Sequence, residues 1–262
     1  MTDFAALHHA DAPLLLPNAW DHASATALAA RGFTAIGTTS LGVAAAAGLP
    51  DGSAATRDGS LALALALGNG PFLLSVDAED GFSDDPAEVA GAARELAAVG
   101  VVGINLEDGR ADGTLAPAEL HAAKIAAVKA AVPGLFVNAR TDTHWHGRGD
   151  GAAGIEGGGR ETVRRLDLYQ QAGADGVFVP GLSDPGRIRA LVAAVDVPLN
   201  ILYSPTGPTV PALADLGVRR VSLGSLLYRR ALGAALEAAD LIRAGLPVDG
   251  SAPTYGEVQA LA

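Results

Sequence analysis

Cysteine is absent from the 262-residue sequence. That excludes disulfides, thiolate metal sites and a cysteine nucleophile. Basic residues are scarce: 18 Lys and Arg stand against 29 Asp and Glu, a formal net charge of −11. Binding to nucleic acid needs clustered Lys and Arg to meet the phosphates, so that class is excluded. Acids and bases are interspersed, so the charge reads as solubility and not as a tail or a steering field. No run reaches eighteen uninterrupted apolar residues, and no segment reads as a membrane span. The opening segment MTDFAALHHADAP lacks a basic-then-apolar signal pattern, which leads to an expected cytoplasmic location.

What is present describes a folded chain. Hydrophobic residues make up 49% and charged residues 18%, enough to bury a large core. One rhythm repeats: an alanine-rich amphipathic stretch ends at a glycine, and a β-branched run follows. The boundaries read LAARG|FTAIGTTS, LAAVG|VVGINLED, YQQAG|ADGVFVPG and LADLG|VRRVSLGS. Glycine just past a helix suits the left-handed C′ position, and short apolar runs suit parallel strands buried on both faces.

Strands are expected at 14–20, 33–40, 71–79, 101–108, 134–142, 175–181, 198–204 and 219–225. Helices are expected near 22–31, 56–67, 86–99, 117–131, 160–172, 184–194, 208–216 and 226–244, several with proline in the first turn. Eight strand–helix units predict a (β/α)8 barrel spanning 1–262 as a single domain, with a short C-terminal extension after 245. A doubly wound open sheet is the alternative, but PNAWDHAS after the first strand holds no glycine-rich phosphate loop. Residues 41–55 and 143–159 read as long loops on the side where strands end, the active-site side of such a barrel.

The chemistry concentrates at strand ends. SVDAEDGF (75–82) places three acids directly after an apolar run, and GINLEDG (103–109) repeats the theme. Side chains alternate along a strand, so Asp77 and Glu79 share a face, as do Asn105 and Glu107, and Asn138, Arg140 and Asp142. Asp80 and Asp108 fall on the opposite faces and read as caps or ion-pair partners. Three carboxylates, Asp77, Glu79 and Glu107, beside the Arg140 guanidinium suit Mg²⁺ or Mn²⁺ and a bound carboxylate or phosphonate. Thr38, Thr39 and Ser40 read as strand-end caps or as donors to an anion. Asp51 in GLPDG reads as a turn residue. His144 and His146 have metal-ligand character in the glycine-rich loop, and His8 and His9 read as surface residues.

The segments VDAEDG, GINLEDG, VNARTD and TTSLGVAAAAGLPDG resemble the motifs of the phosphoenolpyruvate mutase / isocitrate lyase superfamily, in the right order over nearly the whole chain. The resemblance implies a (β/α)8 barrel whose last helix is exchanged with a neighbouring subunit in a homo-oligomer, a dimer or tetramer. It implies Mg²⁺, a small 2-oxo acid or its enolate, and breaking or forming of C–C or P–C bonds. By the same resemblance Asp77, Glu79 and Glu107 match metal-shell acids, and Asp51 an aspartate beside the metal waters. Arg140 matches a substrate-contacting and catalytic arginine. Thr38, Thr39 and Ser40 match the turn that grips the 2-oxo carboxylate, and Asn200 a substrate-facing asparagine.

Two departures qualify the reaction. The family's C–C lyases carry a K-K/R-C-G-H segment where this chain reads GRADGTLAPAELHAAK. The end of the sixth strand, FVPGLSD, lacks the Glu or His-x-Ser of characterised members. The expectation is therefore a Mg²⁺-dependent lyase-type enzyme acting on a 2-oxo mono- or diacid. Phosphonomutase activity and non-catalytic binding of 2-oxo acids are the alternatives. Tyr203, His144 and Asp51 are the candidate proton carriers.

Overall fold

Glycines set the joints of the molecule. Gly32, Gly100, Gly173 and Gly217, which close the alanine-rich stretches, all have positive φ. At Gly100 any side chain is also shut out by space, because a Cβ would lie 2.3 Å from the Gly68 carbonyl oxygen. A computed structural model describes residues 3–145, 154–250 and 252–261, with the backbone alone over 154–158. His146 lies outside the described residues.

The strands are β1 (Leu14–Leu16), β2 (Asn18–Ala19), β3 (Ala35–Thr38), β4 (Leu73–Asp77), β5 (Val101–Glu107), β6 (Phe136–Arg140), β7 (Gly176–Phe178), β8 (Leu199–Leu202) and β9 (Arg220–Ser222). All neighbours pair in parallel, in the order β1-β9-β8-β7-β6-β5-β4-β3-β2. β1 and β2 are two halves of the expected first strand, parted at Pro17. One half pairs with the last strand and the other with β3, which brings the sheet round into the (β/α)8 barrel. Asn18 binds across this seam: its Oδ1 accepts from the backbone N–H of Leu223 (3.1 Å) and Gly224 (2.8 Å), and its Nδ2 donates to the Thr38 carbonyl (2.6 Å).

The helices are α1 (Asp3–Leu7), α2 (His22–Ala30), α3 (Ser40–Ala47), α4 (Arg57–Leu67), α5 (Pro86–Ala98), α6 (Ala118–Ala131), α7 (Gly154–Gln171), α8 (Pro185–Ala194), α9 (Val210–Asp215), α10 (Leu226–Arg243) and α11 (Tyr255–Gln259). Asp85 and Asp184 cap α5 and α8, each accepting a backbone N–H at 2.8 Å, with proline in the first turn. Apolar side chains from strands and helices, among them Ile36, Val76, Leu106, Val137, Val177 and Val221, form the main core. Among the described residues no helix is long and apolar enough to cross a membrane.

Three expectations change. Residues 41–55 are not a continuous loop: α3 occupies 40–47 and stops at Gly48, whose φ is 69°. α7 begins at Gly154, so it takes up the end of the expected 143–159 loop. His8 is not on the surface. α1 caps the lower end of the barrel, where Phe4, Leu16, Ala35 and Phe136 make a second apolar cluster. His8 is 1% exposed and stacks on the Phe136 ring at 4.2 Å.

Candidate functional site

The upper ends of the strands open into a cavity of about 490 Å³. Asp51, Asp77, Glu107 and Arg140 line it together with Thr39, Ser40, Asn105, Tyr203 and Ser222. Thr38, Glu79 and Asn200 stand behind its wall and contribute through other residues.

Asp77 closes β4 under the N-terminus of α3. Its backbone N–H donates to Thr38 Oγ1 (2.9 Å), which sets the strand end. Its Oδ2 accepts the Ser40 N–H (3.2 Å), one of the donors a helix start leaves without an intrahelical partner. Its Oδ1 is buried with no hydrogen-bond partner among the described residues. A buried carboxylate oxygen left bare is costly, so this atom is shaped for something outside the chain. Asp51 faces the same space from the loop after α3. Although open to solvent on one side, its carboxyl is pushed up by partial burial and by the charge of Asp77, against a hydrogen bond from Ser40.

Glu79 departs from strand parity because the strand has already ended. Its φ is 48°, in the left-handed region, and it is 2% exposed. One carboxylate oxygen accepts the Ala54 N–H (3.0 Å) and the other accepts a short hydrogen bond from the Thr56 hydroxyl. Burial raises its pKa, and these two bonds oppose the rise. Glu79 thus holds the loop that carries Asp51.

Glu107 and Arg140 end neighbouring strands in register and form an ion pair at 2.5 Å. Arg140 also forks onto Asp142 through Nε (2.6 Å) and Nη2 (3.0 Å), and lies 5.7 Å from the Trp145 ring and 5.8 Å from that of Phe178. Burial pushes the Glu107 carboxyl well up and Arg140 pulls it back. Burial would lower the guanidinium, but Glu107 and Asp142 outweigh it and keep Arg140 charged. Asp108 points away from the cavity, as parity predicts. It accepts from the Asp142 N–H (2.9 Å), Arg165 (2.9 Å) and Tyr169 (2.7 Å), and so ties β5 to α7. Asp80 accepts the Phe82 N–H at 3.0 Å within its turn.

Among the described residues no three His, Asp or Glu side chains converge tightly enough to enclose an ion alone. The donor set still fits a hydrated hard cation: two facing carboxylates, one with a bare oxygen, and no nearby sulfur. Mg²⁺ retains several waters and needs only one or two carboxylates. His144 lies apart, its Nε2 3.1 Å from Thr162 Oγ1 beside a second cavity between α7 and α8. Sequence reasoning passed over Arg220 and Ser222. Both lie inward at alternate positions of β9, and the parity rule applied to RRVSLGS would have found them.

The sequence model of the phosphoenolpyruvate phosphomutase family matches residues 4–243. An uncharacterized protein of Mycobacterium tuberculosis is 45% identical, covering 98% of this chain and 95% of its own. The 2-methylisocitrate lyase of Bacillus subtilis is 31% identical over 81% of this chain and 70% of that protein. A crystal structure from Burkholderia cenocepacia J2315, described provisionally as a phosphonomutase, superposes with a TM-score of 0.84. It shares 36% identity and covers 90% of this chain and 97% of that one.

Proposed function

The chain belongs to the phosphoenolpyruvate mutase / isocitrate lyase superfamily of lyases and mutases, and from that premise we propose a Mg²⁺-dependent lyase acting on a small 2-oxo carboxylate. The reaction breaks a C–C or P–C bond beside the keto group, decarboxylation included, and leaves an enolate. The observation that carries this reading is Asp77: a buried carboxylate with one oxygen bare, opposite Asp51, in a cavity that also holds Arg140.

Asp77 and Asp51 would hold the cation, Mg²⁺ or Mn²⁺, with Glu107 beside them and Glu79 fixing the Asp51 loop. Bound there, a divalent cation stabilises negative charge developing on the keto oxygen. The chain's own groups do the rest. At the start of α3 the Thr39 hydroxyl and the first-turn N–H groups beyond Ser40 offer donors to the 2-oxo carboxylate, the Ser40 N–H being taken by Asp77, and Thr38 keeps that turn in place. Asn200 acts from behind through Ser222, to which its Nδ2 donates at 3.0 Å. The N–H groups of Arg140 not spent on Glu107 and Asp142 are free for a second anionic group. Phe178 and Pro180 wall the cavity at the end of β7. That apolar wall offers nothing to a migrating phosphoryl group, which favours cleavage over the mutase reaction. Tyr203 lines the cavity and can exchange a proton there.

α10 supports a homo-oligomer. Over Leu226–Arg243 no residue is buried, although Leu232, Leu236 and Ile242 are 49%, 60% and 66% exposed. An apolar stripe of that size fits a second copy of the chain.

Deuterium exchange tests the reaction. Pyruvate or 2-oxoglutarate incubated with the protein and Mg²⁺ in D₂O should gain deuterium at C3, followed by NMR, and Asp77→Asn should stop it. No exchange at saturating Mg²⁺, together with no loss of oxaloacetate, would overturn the enolate reading.

A further inference from the structure

Beneath the cavity floor lies a guanidinium. Arg220 is 1% exposed, and among the described residues no carboxylate is bonded to it. Its Nη2 donates to Asn105 Oδ1 and its Nε to Ser222 Oγ, each at 3.1 Å, while Nη1 finds no partner. Burial lowers its pKa to about 9 and the charge of Asp77 opposes the fall, so it is a cation at neutral pH.

A guanidinium can only donate, and that fixes the polarity of its neighbours. Asn105 must turn its oxygen toward Arg220. The same oxygen accepts Asn138 Nδ2 at 2.9 Å, so both its lone pairs are filled. The amide NH₂ of Asn105 is left for the cavity, which Asn105 lines. Ser222 Oγ accepts from Arg220 Nε and from Asn200 Nδ2. With both lone pairs taken, its hydroxyl has only a hydrogen to give, and Ser222 lines the same cavity. The floor is therefore a donor surface backed by a buried positive charge.

We propose that Arg220 is a positioning residue that makes Asn105 and Ser222 an anion-receiving floor, and that this floor holds a negatively charged oxygen of the 2-oxo acid. The inference rests on the reading of the site given above. Preorganised donors aimed at developing charge in a buried site are an effective electrostatic device. A purely structural role explains the geometry less well, since an apolar side chain of similar volume would fill the same space without burying a charge.

Oxalate, an unreactive planar mimic of a 2-oxo acid enolate, is the probe, titrated by calorimetry into the full chain at saturating Mg²⁺. Asn105→Asp keeps an acceptor for Arg220, now as an ion pair, so its melting temperature should hold or rise. It also puts a carboxylate oxygen where the NH₂ stood, and oxalate should bind roughly ten- to a hundredfold more weakly. Arg220→Met should weaken oxalate about tenfold, with partial recovery in Arg220→Lys, whose ammonium also only donates. If Arg220→Met fails to fold, Asn105→Asp decides. Oxalate bound by Asn105→Asp as tightly as by the wild type would overturn this inference and leave the proposed function standing. A wild type that binds Mg²⁺ but no oxalate would overturn both.

Discussion

Glu79 and Asp77 stand two residues apart in one acidic run, yet the structure gives them different surroundings. Asp77 keeps an oxygen free at the cavity, whereas both oxygens of Glu79 are taken by the loop that bears Asp51. Asp77→Asn should lose Mg²⁺ binding in a calorimetric titration that saturates the wild type. Glu79→Ala strands two donors, the Ala54 N–H and the Thr56 hydroxyl, and should cost about 2–4 kcal/mol in urea denaturation. Glu79→Gln should restore both stability and Mg²⁺ affinity, because the Thr56 hydroxyl can accept as well as donate. A tenfold loss of Mg²⁺ affinity in Glu79→Gln, with stability intact, would put its charge back on the ion. The sequence could not separate the two acids. Parity holds only while the strand lasts, and β4 ends at Asp77, before the positive φ of Glu79.

At the scale of elements the reading from sequence was strong where periodicity and caps agree. α4, α5, α6 and α8 begin and end within a residue or two of the expected limits. α3 was missed because SLGVAAAA is apolar all round and shows no helical alternation of polar and apolar residues. That helix matters to the site, since its start supplies the Ser40 N–H to Asp77. α10 shows the opposite case: its extent was legible from periodicity, whereas the expected exchange of this helix with a neighbouring subunit came only from the resemblance, because periodicity carries no mark of a partner. The wild type is expected to run as a dimer or tetramer in light scattering. Leu232→Glu combined with Leu236→Glu should leave a folded monomer. A monomeric wild type would remove the homo-oligomer from the proposal.

The barrel as a whole was legible from the alternation of eight strands and eight helices; its lower plug was not. His8 follows a five-residue helix and carries no sequence mark of burial, and its environment is built by Phe4, one turn back, and by Phe136 from a distant part of the chain. Burial first, and then the charge of Arg220, lower its pKa from 6.5 to about 3. Between those values the unfolded chain binds a proton that the folded chain excludes. Stability from this residue is therefore full above pH 6.5 and falls by roughly 1.4 kcal/mol per pH unit below it. His8→Phe keeps the stacked ring and removes the titration. The difference in unfolding free energy between variant and wild type should be flat above pH 7 and grow in the variant's favour as the pH drops below 6.5. A difference that stays flat would show that His8 is protonated in the fold. The split first strand carries a consequence for biogenesis. Leu14 pairs with Arg220, about two hundred residues further on, so a ribosome adding roughly 5–20 residues per second needs on the order of 10–40 s to deliver the partner. Throughout that interval the nascent chain holds an unclosed sheet with apolar edges, and chaperone dependence during translation should exceed that of refolding from the completed chain.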